Sequence, residues 1–149
     1  MSTANGKTSL GHGYYFEDLV PGMEASVAKK ISNEDVLAFA DLSGDINPVH
    51  LDDQFAARTI FKKRIAHGFL TGALFSTALG TKLPGPGCIY LSQGLKFRAP
   101  VYIGDEVLAT VRVTSVDPEK ARVTLACDCS VGGKTVLEGD AVMMVDRRP

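Results

Sequence analysis

The chain has little of what would commit it to a secreted, membrane-bound or nucleic-acid-binding role. Its three cysteines are an odd number and provide no disulfide framework, so the chain reads as reduced and cytoplasmic. An excess of one charge is missing too. Sixteen basic residues against seventeen acidic ones leave a net charge of −1, and no nucleic-acid partner is expected. The longest strongly apolar region, Phe69 to Leu79, is too short to cross a bilayer and contains Thr and Ser, so no membrane partner is expected. Met1 to Gly13 holds no apolar run to serve as a secretory signal and no Arg to suggest a transit peptide. It is expected to be a disordered tail, leaving 14–149 as a single domain. Several catalytic signatures are also absent. Gly85-Pro86-Gly87 lacks the third glycine of a dinucleotide loop, and no Gly-x-Ser-x-Gly elbow occurs. Asp45-x-Asn47 opens like a calcium loop, but Val49 and His50 stand where such a loop needs an oxygen ligand and a glycine.

What is present is an ordinary globular composition, 45% hydrophobic and 22% charged. Met23 to Ile31 reads as a first strand. Ser32-Asn33-Glu34-Asp35 is a near capping box that opens a helix carrying Val36, Leu37, Phe39 and Ala40, and Gly44 can close it in a left-handed conformation. Asp52 to Ala57 fits one short helix. Phe69 to Leu79 is apolar or small nearly all round, which predicts a helix buried on every side. Leu83-Pro84-Gly85-Pro86-Gly87 then prevents its continuation.

The remaining third reads as strand after strand. Ile89, Leu91, Leu95 and Phe97 alternate with polar or larger neighbours, and Val107, Ala109, Val111 and Val113 repeat the pattern. Asp117-Pro118-Glu119-Lys120 is a turn, and Gly132-Gly133 joins two further strands. Val123, Leu125, Cys127, Cys129 and Val131 form one period-two row, which places both thiols inside a sheet rather than on a metal. A long antiparallel sheet curled around one buried helix is an α+β architecture.

The chemistry concentrates in Ser43-Gly44-Asp45-Ile46-Asn47-Pro48-Val49-His50. Asp45 and His50 are side chains that exchange protons near neutral pH after modest tuning, and the proline biases Asn47 toward a bend that can turn both toward one cavity. The same letters also fit a structural role, with Asn47 as a helix N-cap and Pro48 at the first helical position. Downstream, Ile65-Ala66-His67-Gly68 enters the apolar helix. The Gly68 N–H therefore falls in an unpaired first turn, where the helix dipole favours negative charge. A plain helix start is the alternative for Gly68.

The Asp-x-Asn-Pro-x-His loop, the Ala66-His67-Gly68 that follows it, and Leu91-Ser92-Gln93, Lys96-Phe97, Pro100-Val101 and Gly104-Asp105 together resemble the MaoC-like (R)-specific enoyl-CoA hydratases. The resemblance runs from about Met23 to Val145. It implies the hot-dog fold, usually dimeric, and hydration of trans-2-enoyl-CoA to (3R)-3-hydroxyacyl-CoA. It also implies Asp45 and His50 as the catalytic pair, Asn47 as their support, and the Gly68 amide as the oxyanion donor. No cofactor and no metal is implied; the partners are an acyl-CoA substrate and a second copy of the chain. Lys62, Lys63, Arg64, Lys96 and Arg98 are candidates to meet the phosphates of the CoA arm, or else form a solvated face. His67 is expected to cap its helix rather than line the pocket, and His12, in the tail, to have no role. The same fold leaves open a thioesterase, a 3-hydroxyacyl-carrier-protein dehydratase and a non-catalytic acyl-thioester binder.

Overall fold

A computed structural model describes residues 11–149. After a 3₁₀ turn at Phe16–Asp18, the elements are β1 (Glu24–Lys30), α1 (Asn33–Ser43), α2 (Pro48–Leu51), α3 (Asp53–Ala57), α4 (Gly68–Thr81), β2 (Ile89–Gln93), β3 (Lys96–Phe97), β4 (Glu106–Asp117), β5 (Arg122–Val131) and β6 (Lys134–Met144). The strands form one antiparallel sheet in the order β1-β4-β5-β6-β2, with β3 also pairing β6. Among the described residues, no helix is long and apolar enough to cross a membrane.

Strict alternation decides which sheet face is inside. Val107, Ala109, Val111 and Val113 on β4 and Val123, Leu125, Cys127 and Cys129 on β5 are all at most 3% exposed. Register ties the two rows together, with Val111 opposite Cys127 and Ala109 opposite Cys129. Both thiols are thus packed among apolar neighbours, as their period-two spacing predicts. At the β5–β6 hairpin, Gly132 and Gly133 adopt φ of +58° and +84°, the paired left-handed conformation that a tight two-residue turn needs.

Helix α4 lies on this face and buries Thr71, Leu74, Phe75, Ala78 and Leu79. Its composition predicts burial on every side, and the structure departs from that. Phe69 is 67% exposed, and Ala73, Ser76 and Thr77 also face outward. A single sheet covers one side of a helix, and the apolar outer side has no partner among the described residues. The adjacent edge strand is uncovered too, with Ile89, Tyr90 and Leu91 exposed.

Other boundaries differ from the expectation. The alternating run from Ile89 to Phe97 breaks at Gly94-Leu95, yet Gln93 opposite Ala141 and Lys96 opposite Glu138 keep one register. The break is a close backbone approach: a Cβ on Gly139 would lie 1.9 Å from the Gly94 carbonyl oxygen. The expected helix at Asp52 starts at Asp53, with Asp52 as its cap accepting from the Gln54 and Phe55 N–H groups, and a further helix, Pro48–Leu51, precedes it. The expected tail ends earlier than Gly13. Gly13 N–H donates to the Pro86 carbonyl, and His12 meets the Asp146 carboxylate at 3.0 Å and stacks on Tyr15. The rest of that tail, 1–10, lies outside the described residues.

Candidate active site

A sequence of short local bonds shapes the segment from Ser32 to His50. Ser32 Oγ accepts from the Asp35 N–H while the Asp35 carboxylate accepts from the Ser32 N–H, a complete capping box for α1. Gly44 ends the helix at φ +78° with its N–H on the Ala40 carbonyl. Ser43 Oγ then accepts from the Asp45 N–H, Asp45 Oδ1 from the Asn47 N–H, and Asn47 Oδ1 from the Val49 N–H. Asn47 is therefore an N-cap with Pro48 behind it. The cap fixes where α2 starts and hence where His50 points.

Longer-range bonds complete the site. The His50 Nδ1–H donates to the Ile65 carbonyl at 2.8 Å, which leaves Nε2 as the lone-pair nitrogen. His50 is 7% exposed, and burial pushes its imidazole below the ordinary 6.5. The Ile65 carbonyl opposes that shift, nearby His67 adds to it, and Asp45 opposes it. The exposed Asp45 carboxylate and ring nitrogens of His50 and His67 lie within 4.8 Å of one another. A cavity of about 480 Å³ opens beside His50 and Gly68, lined otherwise mainly by apolar groups such as Phe61, Ile65, Phe97 and Leu137. Gly68 is the first residue of α4, so its N–H has no intrahelical acceptor. Packing there is close as well: a Cβ at Gly68 would come 2.5 Å from the half-exposed Phe97 ring, which would have to move.

Asp45, His50 and His67 are, among the described residues, the cluster with metal-ligand chemistry. Their arrangement does not suit an ion. The two imidazoles stack at 3.9 Å with 30° between planes, so their in-plane lone pairs run side by side rather than converge. A neutral imidazole on the wall of an apolar cavity, with a helix-start amide on the same wall and a carboxylate within 4.8 Å of the ring, can instead hold a water and move its proton.

The basic candidates separate. Arg64 is half-buried and tied to the scaffold, with Nε on the His50 carbonyl at 2.7 Å and Nη2 on Asn33 Oδ1 at 2.8 Å, and it borders the same hollow as Lys62 and Lys63. Arg98 reaches the cavity wall but is paired with Glu138 at 2.6 Å. Lys96 lines a different groove on the outer sheet face, beside Asp128 and Glu138. Lys62 and Lys63 edge a small hollow with Tyr102, and the Lys63 ammonium sits 4.8 Å from the Tyr102 ring centre. His67 occupies the N-cap position of α4, but its side chain makes no capping bond. The expected cap is instead a buried ring whose Nε2–H donates to the Asp45 carbonyl at 3.0 Å. Phe97 and Arg64 are the structural partners that residue spacing does not reveal, since both act across large sequence separations.

Residues 20–131 match the family model described as MaoC like domain. The chain is 54% identical to an (R)-specific enoyl-CoA hydratase of Rhodospirillum rubrum, over 91% of this chain and 94% of that protein. It is 53% identical to a 3-hydroxybutyryl-CoA dehydratase of Methylorubrum extorquens, over 90% and 85%. Among solved structures, an (R)-hydratase from A. caviae involved in PHA biosynthesis superposes with a TM-score of 0.84 at 45% identity, covering 87% of this chain and 98% of that one.

Proposed function

This chain belongs to the MaoC-like domain family, and we propose that it is an (R)-specific enoyl-CoA hydratase whose catalytic pair is Asp45 and His50. It is a hydro-lyase of hot-dog fold that adds water to a trans-2-enoyl-CoA to give the (3R)-3-hydroxyacyl-CoA, and it removes that water in reverse. The observation that carries the catalytic assignment is the Asp45 carboxylate within 4.8 Å of the imidazoles, with His50 on the wall of an apolar cavity that also holds Gly68.

In the proposed reaction one water sits between Asp45 and His50. As its oxygen bonds to C3, the His50 Nε2 lone pair takes its proton, and the pair hands a proton on to C2. The π bond between C2 and C3 is consumed while the σ bond remains, and the product gains one water in all. During attack, negative charge moves onto the thioester oxygen, where the Gly68 N–H and the positive end of α4 stabilise it. Such a donor contributes about 10²–10³ in rate. An acid/base pair contributes about 10²–10⁴. Asn47 supports the pair by capping α2. Lys62 and Lys63, next in sequence to the cavity-lining Phe61, meet the CoA phosphates, while Arg98 does so only by releasing Glu138. A second copy of the chain covers the apolar outer side of α4 and the unpaired edge of β2.

Purified protein mixed with crotonyl-CoA should lower the conjugated enoyl absorbance to an equilibrium value without releasing free thiol. Thiol release without hydration would make the protein a thioesterase, and silence in both channels would make it a binder. Ready consumption of the product by an L-3-hydroxyacyl dehydrogenase would contradict the (3R) assignment.

A further inference from the structure

His67 is 1% exposed and belongs to no capping bond, yet parts of three other elements meet on its ring. Its Nε2–H donates to the main-chain carbonyl of Asp45 at 3.0 Å. Its face stacks on His50 at 3.9 Å and 30°. Phe39 of α1 packs on it at 4.8 Å and 54°. The remaining nitrogen, Nδ1, is buried and has no hydrogen-bond partner. A carbonyl only accepts, so the proton sits on Nε2 and Nδ1 is a lone pair left unanswered, a state buried polar atoms rarely keep.

A phenylalanine would fill the same space without that orphan, and a glutamine would offer a similar donor without a ring. A histidine does both at once, holding Asp45 by its edge and His50 by its face. Neither His67 nor Asp45 lines the cavity. The Asp45 carboxylate is exposed, whereas His67 is buried with its Nε2–H given to a carbonyl, so His67 acts through its two neighbours. We propose that His67 is a positioning residue that sets the separation of Asp45 and His50 by bonding the main chain of one and stacking on the ring of the other. The proposal rests on the reading that these two form the catalytic pair.

Two variants separate the contacts: His67→Phe keeps the stack and loses the donor, and His67→Gln keeps the donor and loses the stack. Each should lower kcat on crotonyl-CoA, by up to about 10²-fold, since misplacement of that order follows from shifts near 1 Å. KM should stay within about twofold, because binding of the thioester is untouched. In a His50→Ala background His67→Gln should not lower kcat much further, since the ring on which His67 stacks is gone. Near-normal kcat in both single variants, or an undiminished loss from His67→Gln in the His50→Ala background, would overturn the proposal. A second readout needs no turnover. The imidazole carbon resonance of His50 should shift or broaden in His67→Gln while the methyl resonances of Val111 and Leu125 stay fixed; an unchanged His50 signal would overturn the positioning role whatever reaction the protein runs.

Discussion

On the sheet, Cys127 and Cys129 lie among Val111, Leu125 and Leu137, and burial pushes their thiols up to about 11 and about 12. In the loop region, His50 is nearly as buried, and burial pushes its imidazole down instead. Desolvation disfavours the charged form in both places. For a thiol the charged form is the reactive one, so burial silences it. For an imidazole the neutral form is the base, so burial keeps it ready. The difference lies in what surrounds each group. The thiols sit on the apolar inner face and reach main-chain carbonyls and, for Cys127, the Gln93 side chain, whereas His50 has a carbonyl to fix its tautomer, a carboxylate within reach and an open cavity.

The comparison can be broken from either side. The largest effect should come from the site. His50→Ala and Asp45→Asn should each lower crotonyl-CoA turnover by about 10²–10⁴. Thermal unfolding of each should stay cooperative, and near-normal turnover in either variant would remove that residue from the mechanism. In the core, Phe75→Ala empties a fully buried position of α4 and should cost about 3–5 kcal/mol of stability, read by denaturant unfolding. A cost below about 1 kcal/mol would mean that the helix is held by something other than sheet packing.

Asn47→Ala should cost about 1 kcal/mol of stability through the lost cap. It should also lower kcat more than it raises KM, because the start of α2 aims His50; equal changes would leave Asn47 with the cap alone. The smallest signal is a silence. Cys127 and Cys129 in the folded protein should resist a thiol reagent at pH 8 and react fully in denaturant, and fast labelling of both when folded would refute the inner-face placement.

How much could be read from the letters depended on how local the cause was. The capping box at Ser32 and Asp35, the left-handed Gly44, the N-cap pairing of Asn47 with Pro48 and the alternation that hides both thiols each depend on neighbours a few residues away. The octet and the His67-Gly68 step were legible as chemistry for the same reason. What escaped was long-range. Arg64 looks like a free cation until Asn33, thirty-one residues earlier, is brought to its guanidinium. His67 looks like a cap until the fold stacks it on His50. The composition of α4 predicts a fully buried helix, because the helix pattern records that its outer side is apolar and not which surface covers it.

The most direct test is the pH dependence of crotonyl-CoA hydration. Burial holds His50 below the ordinary imidazole value of 6.5, so the folded protein keeps it neutral at pH 7 and the base becomes protonated only on further acidification. The acidic limb of kcat/KM should therefore lie below pH 6.5 and should be lost from the residual activity of His50→Ala. An acidic limb at or above pH 7 in the wild-type protein, or an unaltered limb in that variant, would contradict a buried neutral imidazole as the base.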